Sequence, residues 1–343
     1  VVVLIKRKTL KIITMSIWKY KNYLEPKIKK ENQLSLNEGN TPYENCPALQ
    51  KLLELERVFI KREDLNPTGS FKDRSLAFQL SVYKQKGEKN FIISSSGNAA
   101  ISAISYSQLF NTKIHVFVSK FIQKDKLNRL LAKVGIKGFN KEALQTEEAI
   151  EVRKGNVMLH FSKRAKSDSF KFEKKSKFKN LRGSKDDLAI EGFKTLGFEL
   201  QEQAAEADSV FIPCSSGTSA MGIYKGYTER KTKCPQIHVV QNSRINPIAS
   251  FFDKEFLTSK SSLASAIVDR VAHRKNEVIK AIQDTGGSGW VVSDNEINTA
   301  KALMKLHCDI EISFDAALSL AGLIKALASG YNVKRPILII SGK

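Results

Sequence analysis

Short apolar runs alternate with stretches of helical periodicity along most of this 343-residue chain. That alternation points to parallel α/β units rather than to an all-helical or sandwich architecture. Strands are expected near residues 58–60, 91–94, 114–118, 209–212, 237–240 and 336–340. Helices are expected near 75–84, 99–109, 124–134, 146–152, 193–205, 220–228, 274–283, 294–306 and 314–328. In open parallel sheets, ligands gather beyond the carboxyl ends of the strands. Four segments rich in small, hydroxyl-bearing or structure-breaking residues fall at such ends, so they are expected to converge on one site.

The first is Asn66-Pro67-Thr68-Gly69-Ser70-Phe71-Lys72-Asp73-Arg74. Pro67 and Gly69 interrupt regular structure between a strand and a helix. Ser70 is placed to cap that helix, and Asp73 follows at capping-box spacing. Lys72 then falls in the first turn, where unpaired N–H groups and the helix dipole disfavour a second positive charge. A lysine with a lowered pKa is a nucleophile. Taken alone, the run also reads as a surface lysine on a well-capped helix.

The second segment, Ser94-Ser95-Ser96-Gly97-Asn98-Ala99-Ala100, opens a helix with exposed backbone N–H groups, which suits a carboxylate. A plain helix start is the alternative. The third, Pro213-Cys214-Ser215-Ser216-Gly217-Thr218-Ser219, repeats the strand–loop–helix pattern and suits a phosphate. The fourth is Pro336-Ile337-Leu338-Ile339-Ile340-Ser341-Gly342-Lys343, a buried strand ending in a serine, or else a frayed terminal strand.

The Lys72 run resembles the pyridoxal-phosphate attachment site of threonine synthases, within the tryptophan-synthase-β-like (fold type II) family. The resemblance implies two open parallel-sheet α/β domains with pyridoxal 5′-phosphate in the cleft between them. It implies that Lys72 is the attachment and catalytic residue, and that Ser95, Ser96 and Gly97 hold a substrate carboxylate. Asn98 would contact the cofactor ring oxygen. Ser215, Ser216, Gly217, Thr218 and Ser219 would hold its 5′-phosphate, and Ser341 would face its ring nitrogen as a neutral partner.

Further runs are similar to the same family: Glu38-Gly39-Asn40-Thr41-Pro42, Glu191-Gly192-Phe193-Lys194-Thr195, Val292-Ser293-Asp294-Asn295-Glu296, and residues 315–325. Residues 137–185 match poorly. The implied reaction converts O-phospho-L-homoserine and water to L-threonine and phosphate. Such an amino-acid phosphate ester needs extra cationic or N–H donors. Lys61, Arg74 and Lys194 are the candidates, and only Lys194 has a family-like context, so it is taken as a substrate contact. Two departures bear on the substrate: Ala189 stands where many threonine synthases carry an arginine, and Ser75 stands where relatives have glycine. A third bears on the backbone path of the phosphate loop, where serines and a threonine replace several glycines. Two alternatives stay open: another lyase or dehydratase of this fold acting on serine, threonine or a related amino acid, and a non-catalytic or RNA-binding protein built on it.

The implied organisation is a lysine-bearing domain over residues 46–161, a basic connection over 162–184, and a second domain over 185–343 joined by 15–45. Residues 1–14 read as a foreign leader, because Met15-Ser16-Ile17-Trp18-Lys19-Tyr20 resembles the usual threonine-synthase beginning and translation is expected to start at Met15. The formal charge of +21 favours anionic ligands. Residues 161–182 hold nine Lys/Arg and two acidic residues, with Phe170, Phe172 and Phe178 interleaved. That reads first as a solvated face, with nucleic acid an unlikely partner in the absence of any recognition motif. No apolar run approaches the roughly 20 residues of a membrane span. The cysteines Cys46, Cys214, Cys234 and Cys308 are widely spaced and, like the histidines, form no metal motif. Reduced thiols in a cytoplasmic enzyme are expected, with a homodimer possible and no metal.

Overall fold

A computed structural model describes residues 16–343. The expectations about residues 1–14 and a start at Met15 lie outside the described residues. The strands are β1 (Tyr43–Asn45), β2 (Phe59–Lys61), β3 (Asn90–Ser94), β4 (Lys113–Ser119), β5 (Ala149–Lys154), β6 (Val157–Ser162), β7 (Lys179–Asn180), β8 (Ser209–Pro213), β9 (Gln236–Asn242), β10 (Ser288–Val292) and β11 (Pro336–Ile339). They form two sheets, one ordered β1-β2-β11-β8-β9-β10 and the other β5-β6-β4-β3-β7. All pairings are parallel except the edge pairs β1–β2 and β5–β6. The fold is therefore the expected two-sheet α/β architecture, with one antiparallel edge strand on each sheet. Strands β8, β10 and β11 are buried along their whole length, as parallel strands covered on both faces must be.

Strand β1 lies in the six-stranded sheet with the strands of the second half, and β2, which follows residue 46, lies there as well. The basic stretch is more than a connection. It supplies the helix Ala165–Ser176 and strand β7. Phe172 packs against His115 and Phe117, and Phe178 against His115 and Phe172. These rings are filling a core and are not free to stack on bases. Among the described residues, no helix is long and apolar enough to cross a membrane.

Several local expectations need correction. Residues 149–152, expected as helix, belong to β5, paired with β6 through Lys154↔Val157. Gly155 (φ +56°) and Asn156 make the two-residue turn between them, and the alternation of Ile150 and Val152 serves the hairpin better than a helix. The strand expected at 58–60 runs one residue later to include Lys61, which is fully buried. Cys46 and Cys308 form a disulfide, against the expected set of reduced thiols. Their separation of 262 residues leaves no local spacing signal. Packing of the helix Pro47–Leu52 on the helix Asp294–Cys308 brings them together. Cys214 and Cys234 are free.

A buried charge cluster joins the sheet to two helices. Lys61 ends β2, Arg74 lies in the helix Lys72–Gln85, and Glu199 lies in the helix Leu188–Gln203. The Arg74 guanidinium donates to both Glu63 oxygens at 2.7 Å and to both Glu199 oxygens at 2.9 and 2.7 Å. Lys61 Nζ donates to Glu199 at 2.8 Å, to Gln203 at 2.7 Å and to the Thr41 carbonyl at 2.7 Å. Burial alone would raise both carboxyls, but Arg74 overrides it and holds Glu63 and Glu199 below the usual carboxylate range. The two helices meet at Gly192, where a Cβ would lie 2.6 Å from Ser75 Cα. Close packing thus continues from the cluster to the first turn of the lysine-bearing helix.

Two cations balance two carboxylates here, so removing one partner strands a buried charge. Glu199→Leu is expected to destabilise the chain by about 3–5 kcal/mol in urea unfolding. A loss below about 1 kcal/mol would show the cluster to be incidental.

Candidate active site

The Asn66–Ser70 turn is fixed from within. Gly69 adopts φ +88° and donates its N–H to the Asn66 carbonyl at 2.8 Å. The expected capping box does not form. The helix begins at Lys72, and Asp73 turns back to accept from Thr68 N (2.7 Å), Thr68 Oγ1 (2.5 Å) and Ser102 Oγ (2.5 Å). Asp73 thereby ties the turn to the helix Asn98–Leu109. Ser75, the residue at the family's glycine position, donates its hydroxyl to the Lys72 carbonyl at 3.0 Å and is absorbed within the helix.

Lys72 Nζ lies 4.9 Å from the centre of the Phe71 ring and 5.5 Å from that of Phe193. No carboxylate or carbonyl pairs with it among the described residues. Burial lowers its pKa to about 8, opposed by the nearby Cys214 thiol. The direction agrees with the sequence reading, but the cause is desolvation rather than the helix terminus. Cys214 is itself pushed up to about 12 by burial, so it is a neutral neighbour and not a competing nucleophile.

Three of the four predicted loops meet around the end of the chain. Phe71 N donates to the Ser341 carbonyl at 3.1 Å and Lys343 N to the Gly69 carbonyl at 3.0 Å. A Cβ at Gly342 would lie 2.5 Å from Asn98 Nδ2 and 2.7 Å from Ser70 Cβ. Asn98 donates to the Lys343 carbonyl at 3.2 Å and accepts from Arg129 Nη2 at 3.2 Å. Ser341 is 8 % exposed, and its hydroxyl makes no hydrogen bond among the described residues. In the loop before Asn98, Ser95 N binds the Phe117 carbonyl, Gly97 N binds Ser95 Oγ, and Ser96 Oγ accepts from Ser119 N.

The fourth loop reaches Lys72 through Cys214. It leads from β8 into the helix Thr218–Glu229. Gly217 has φ +86°, and a Cβ there would collide with Val278, so this glycine cannot be replaced. The serines and threonine that stand for the other family glycines are used by the protein. Ser215 Oγ accepts from Val268 N (3.1 Å) and Asp269 N (3.2 Å). Thr218 Oγ1 donates to the Gly183 carbonyl at 3.1 Å and lies 2.9 Å from Ser216 Oγ. The N–H groups of Ser215, Ser216, Thr218 and Ser219 reach no carbonyl among the described residues. Together with the helix dipole they make an anion cradle.

An unpaired, half-buried lysine, a helix-terminal anion cradle and a serine hydroxyl without a protein partner fit a phosphorylated aldehyde carrying a ring nitrogen. Lys72, Asn98, Ser215, Ser216, Gly217, Thr218, Ser219 and Ser341 are therefore the residues suited to pyridoxal phosphate. Lys194 is not brought to this group. Its amine donates to the Tyr23 carbonyl (3.0 Å) and Glu229 (2.8 Å) and pairs with Glu191 at 2.6 Å, which occupies its three donors. Lys61 and Arg74 are likewise engaged in the buried cluster. Arg274 and Arg182 went unread in the sequence. Arg274 Nη1 donates to the Gly183 carbonyl (2.9 Å) and Thr218 Oγ1 (3.4 Å), and Nη2 pairs with Asp187 at 2.5 Å. Arg182 pairs with Asp269 at 3.4 Å. The basic composition of residues 161–182 flagged the second arginine as charge without a place, and nothing flagged the first.

A family profile described as pyridoxal-phosphate dependent enzyme matches residues 34–342. Threonine synthase of Methanocaldococcus jannaschii is 28% identical over 329 residues, covering 92% of this chain and 76% of the relative. That of Synechocystis sp. is 26% identical over 317 residues, covering 89% and 76%. Among solved structures, maize serine racemase has a TM-score of 0.69 at 16% identity, covering 89% of this chain and 88% of that one. Threonine deaminase isoform 2 from Solanum lycopersicum has a TM-score of 0.70 at 18% identity, covering 89% and 84%. These structures share the fold.

The electrostatics of Lys72 can be read directly. Competitive labelling with acetic anhydride, on protein freed of small carbonyl compounds, should give Lys72 an apparent pKa near 8, against about 10.4 for exposed lysines. A value near that of the exposed lysines would contradict the burial described.

Proposed function

We propose that this chain, which belongs to the pyridoxal-phosphate dependent enzyme family and takes pyridoxal 5′-phosphate as its cofactor, is a threonine synthase. The reaction converts O-phospho-L-homoserine and water to L-threonine and phosphate. One observation carries the reading. Likeness to threonine synthases runs along the sequence at 24–28% identity over most of the chain, whereas the racemases and deaminases share its fold at 16–19%.

When bound, the cofactor supplies an electron sink that makes protons next to the substrate amine acidic. The chain's own residues do the rest. Lys72 Nζ attaches the cofactor and, once displaced by the substrate amine, carries protons at Cα and Cβ. Its lowered pKa leaves an appreciable neutral fraction at neutral pH, which both tasks require. The Ser95-Ser96-Gly97 loop holds the substrate carboxylate, through the Ser96 N–H, free among the described residues, and the two serine hydroxyls. The 215–219 cradle anchors the cofactor phosphate, and Asn98 and Ser341 orient the ring. Phosphate departs from Cγ and water adds at Cβ. Closure of the two sheet-bearing units on the substrate would exclude bulk water until that step.

Ala189 favours one alternative, a lyase or dehydratase acting on serine, threonine or a related amino acid. A product assay separates the two. Protein reconstituted with pyridoxal phosphate should release threonine and phosphate in equal amounts from O-phospho-L-homoserine, and Lys72→Ala should abolish both. A 2-oxo acid from serine or threonine, with no threonine from the phosphate ester, would replace this reading with the alternative.

A further inference from the structure

We infer that Arg274 is the residue that selects a phosphate ester, reading the substrate's second anion at the position where Ala189 supplies no charge. The inference rests on the phosphate-ester reading above. A phosphate dianion at the far end of the substrate needs a cation, and Lys61, Arg74 and Lys194 are each held by carboxylates and carbonyls elsewhere.

The surroundings of residue 189 show what takes its place. Ala189 is fully buried against Gly183, where a Cβ would lie 3.1 Å from Ala189 Cβ and 3.9 Å from Thr218 Cγ2. A longer side chain at 189 would therefore head into the space shared by Gly183 and Thr218. The Arg274 guanidinium is bonded to those same two residues, through the Gly183 carbonyl and Thr218 Oγ1. Arg274 stands just before the helix Lys275–Asp284 and puts a positive charge beside the anion cradle.

Its pairing differs from those of Lys61 and Arg74, whose carboxylate partners are buried. Arg274 is 6 % exposed, but the side chain of its carboxylate partner Asp187 is 89 % exposed. Arg182, by contrast, is tied to Asp269, whose side chain is 3 % exposed. A buried guanidinium facing a solvent-exposed carboxylate is an exchangeable pair. A phosphate dianion carries more charge and presents two oxygens to the planar fork, so it displaces Asp187. Asp187 keeps the guanidinium oriented until substrate arrives.

The test uses cofactor-loaded Arg274→Lys, Arg274→Ala and Asp187→Asn proteins, with O-phospho-L-homoserine as substrate and inorganic phosphate as a separate binding probe followed by calorimetry. Both Arg274 variants should raise KM about 10- to 100-fold, the range expected for a lost charge-assisted contact, and weaken phosphate binding by a similar factor. Their kcat and cofactor absorbance should stay close to those of the parent. Ala189→Arg added to Arg274→Ala should recover part of the loss. Asp187→Asn, which removes the competing carboxylate and leaves the guanidinium in place, should lower KM, and it carries the test if Arg274→Ala does not fold. Threonine formation with KM unchanged in Arg274→Lys would overturn the inference and leave the proposed function standing. Weakened cofactor binding with KM unchanged would overturn it too, assigning Arg274 to the cofactor phosphate. Phosphate binding lost in Arg274→Lys, in a protein that makes no threonine, would keep the anion site and reject the reaction. Phosphate binding absent from the parent protein would overturn the inference outright.

Discussion

Everything near Lys72 depends on the buried pairing of Arg74 with Glu63 and Glu199. Arg74 is two residues beyond Lys72 in the same helix, so its four contacts to the two carboxylates set the rotation and depth of that helix. Glu63 precedes the active-site turn, and Asn66 Nδ2 holds its carboxylate at 2.9 Å. Glu199 reaches across from a different helix and also takes Lys61 from the sheet. Hydrophobic packing alone would let these elements slide. Charges that cannot be left unpaired in a dry interior allow far fewer arrangements.

This explains why several family-like runs sit away from the chemistry. In Glu191-Gly192-Phe193-Lys194-Thr195, Gly192 lets two helices touch, Thr195 accepts from Arg74, and Lys194 joins Glu191 and Glu229. In Glu38-Gly39-Asn40-Thr41-Pro42, Thr41 donates to Glu63 at 2.6 Å and Gly39 N to Asn66 at 2.9 Å. These segments hold the frame around the lysine. Phe193 alone comes close to the reactive amine, as part of its apolar wall.

The parallel sheets and the converging loops were legible because each rests on local grammar: an apolar run, a breaker, a helix start. What the sequence concealed was set by tertiary partners. Lys61 lies inside a strand because Glu199 and Gln203 meet it there, and no local pattern marks a lysine as core. The short edge strands β1 and β7 carry too few apolar residues to announce themselves. Cys46 and Cys308 meet through helix packing. Asp73 had the spacing of a capping residue, yet the turn and Ser102 offered it better donors. The glycine-poor phosphate loop looked like a weakness, but the structure needs glycine at 217, where the backbone turns left-handed against Val278, and puts the hydroxyls of Ser215 and Thr218 to use elsewhere.

The central claim is that these loops assemble a cofactor site on one lysine. Reducing the cofactor-loaded protein with borohydride and mapping its peptides by mass tests this most directly. The account predicts that the reduced pyridoxyl phosphate is found on the peptide containing Lys72 and on no other. Stoichiometric label on any other lysine, with Lys72 unmodified, would contradict it.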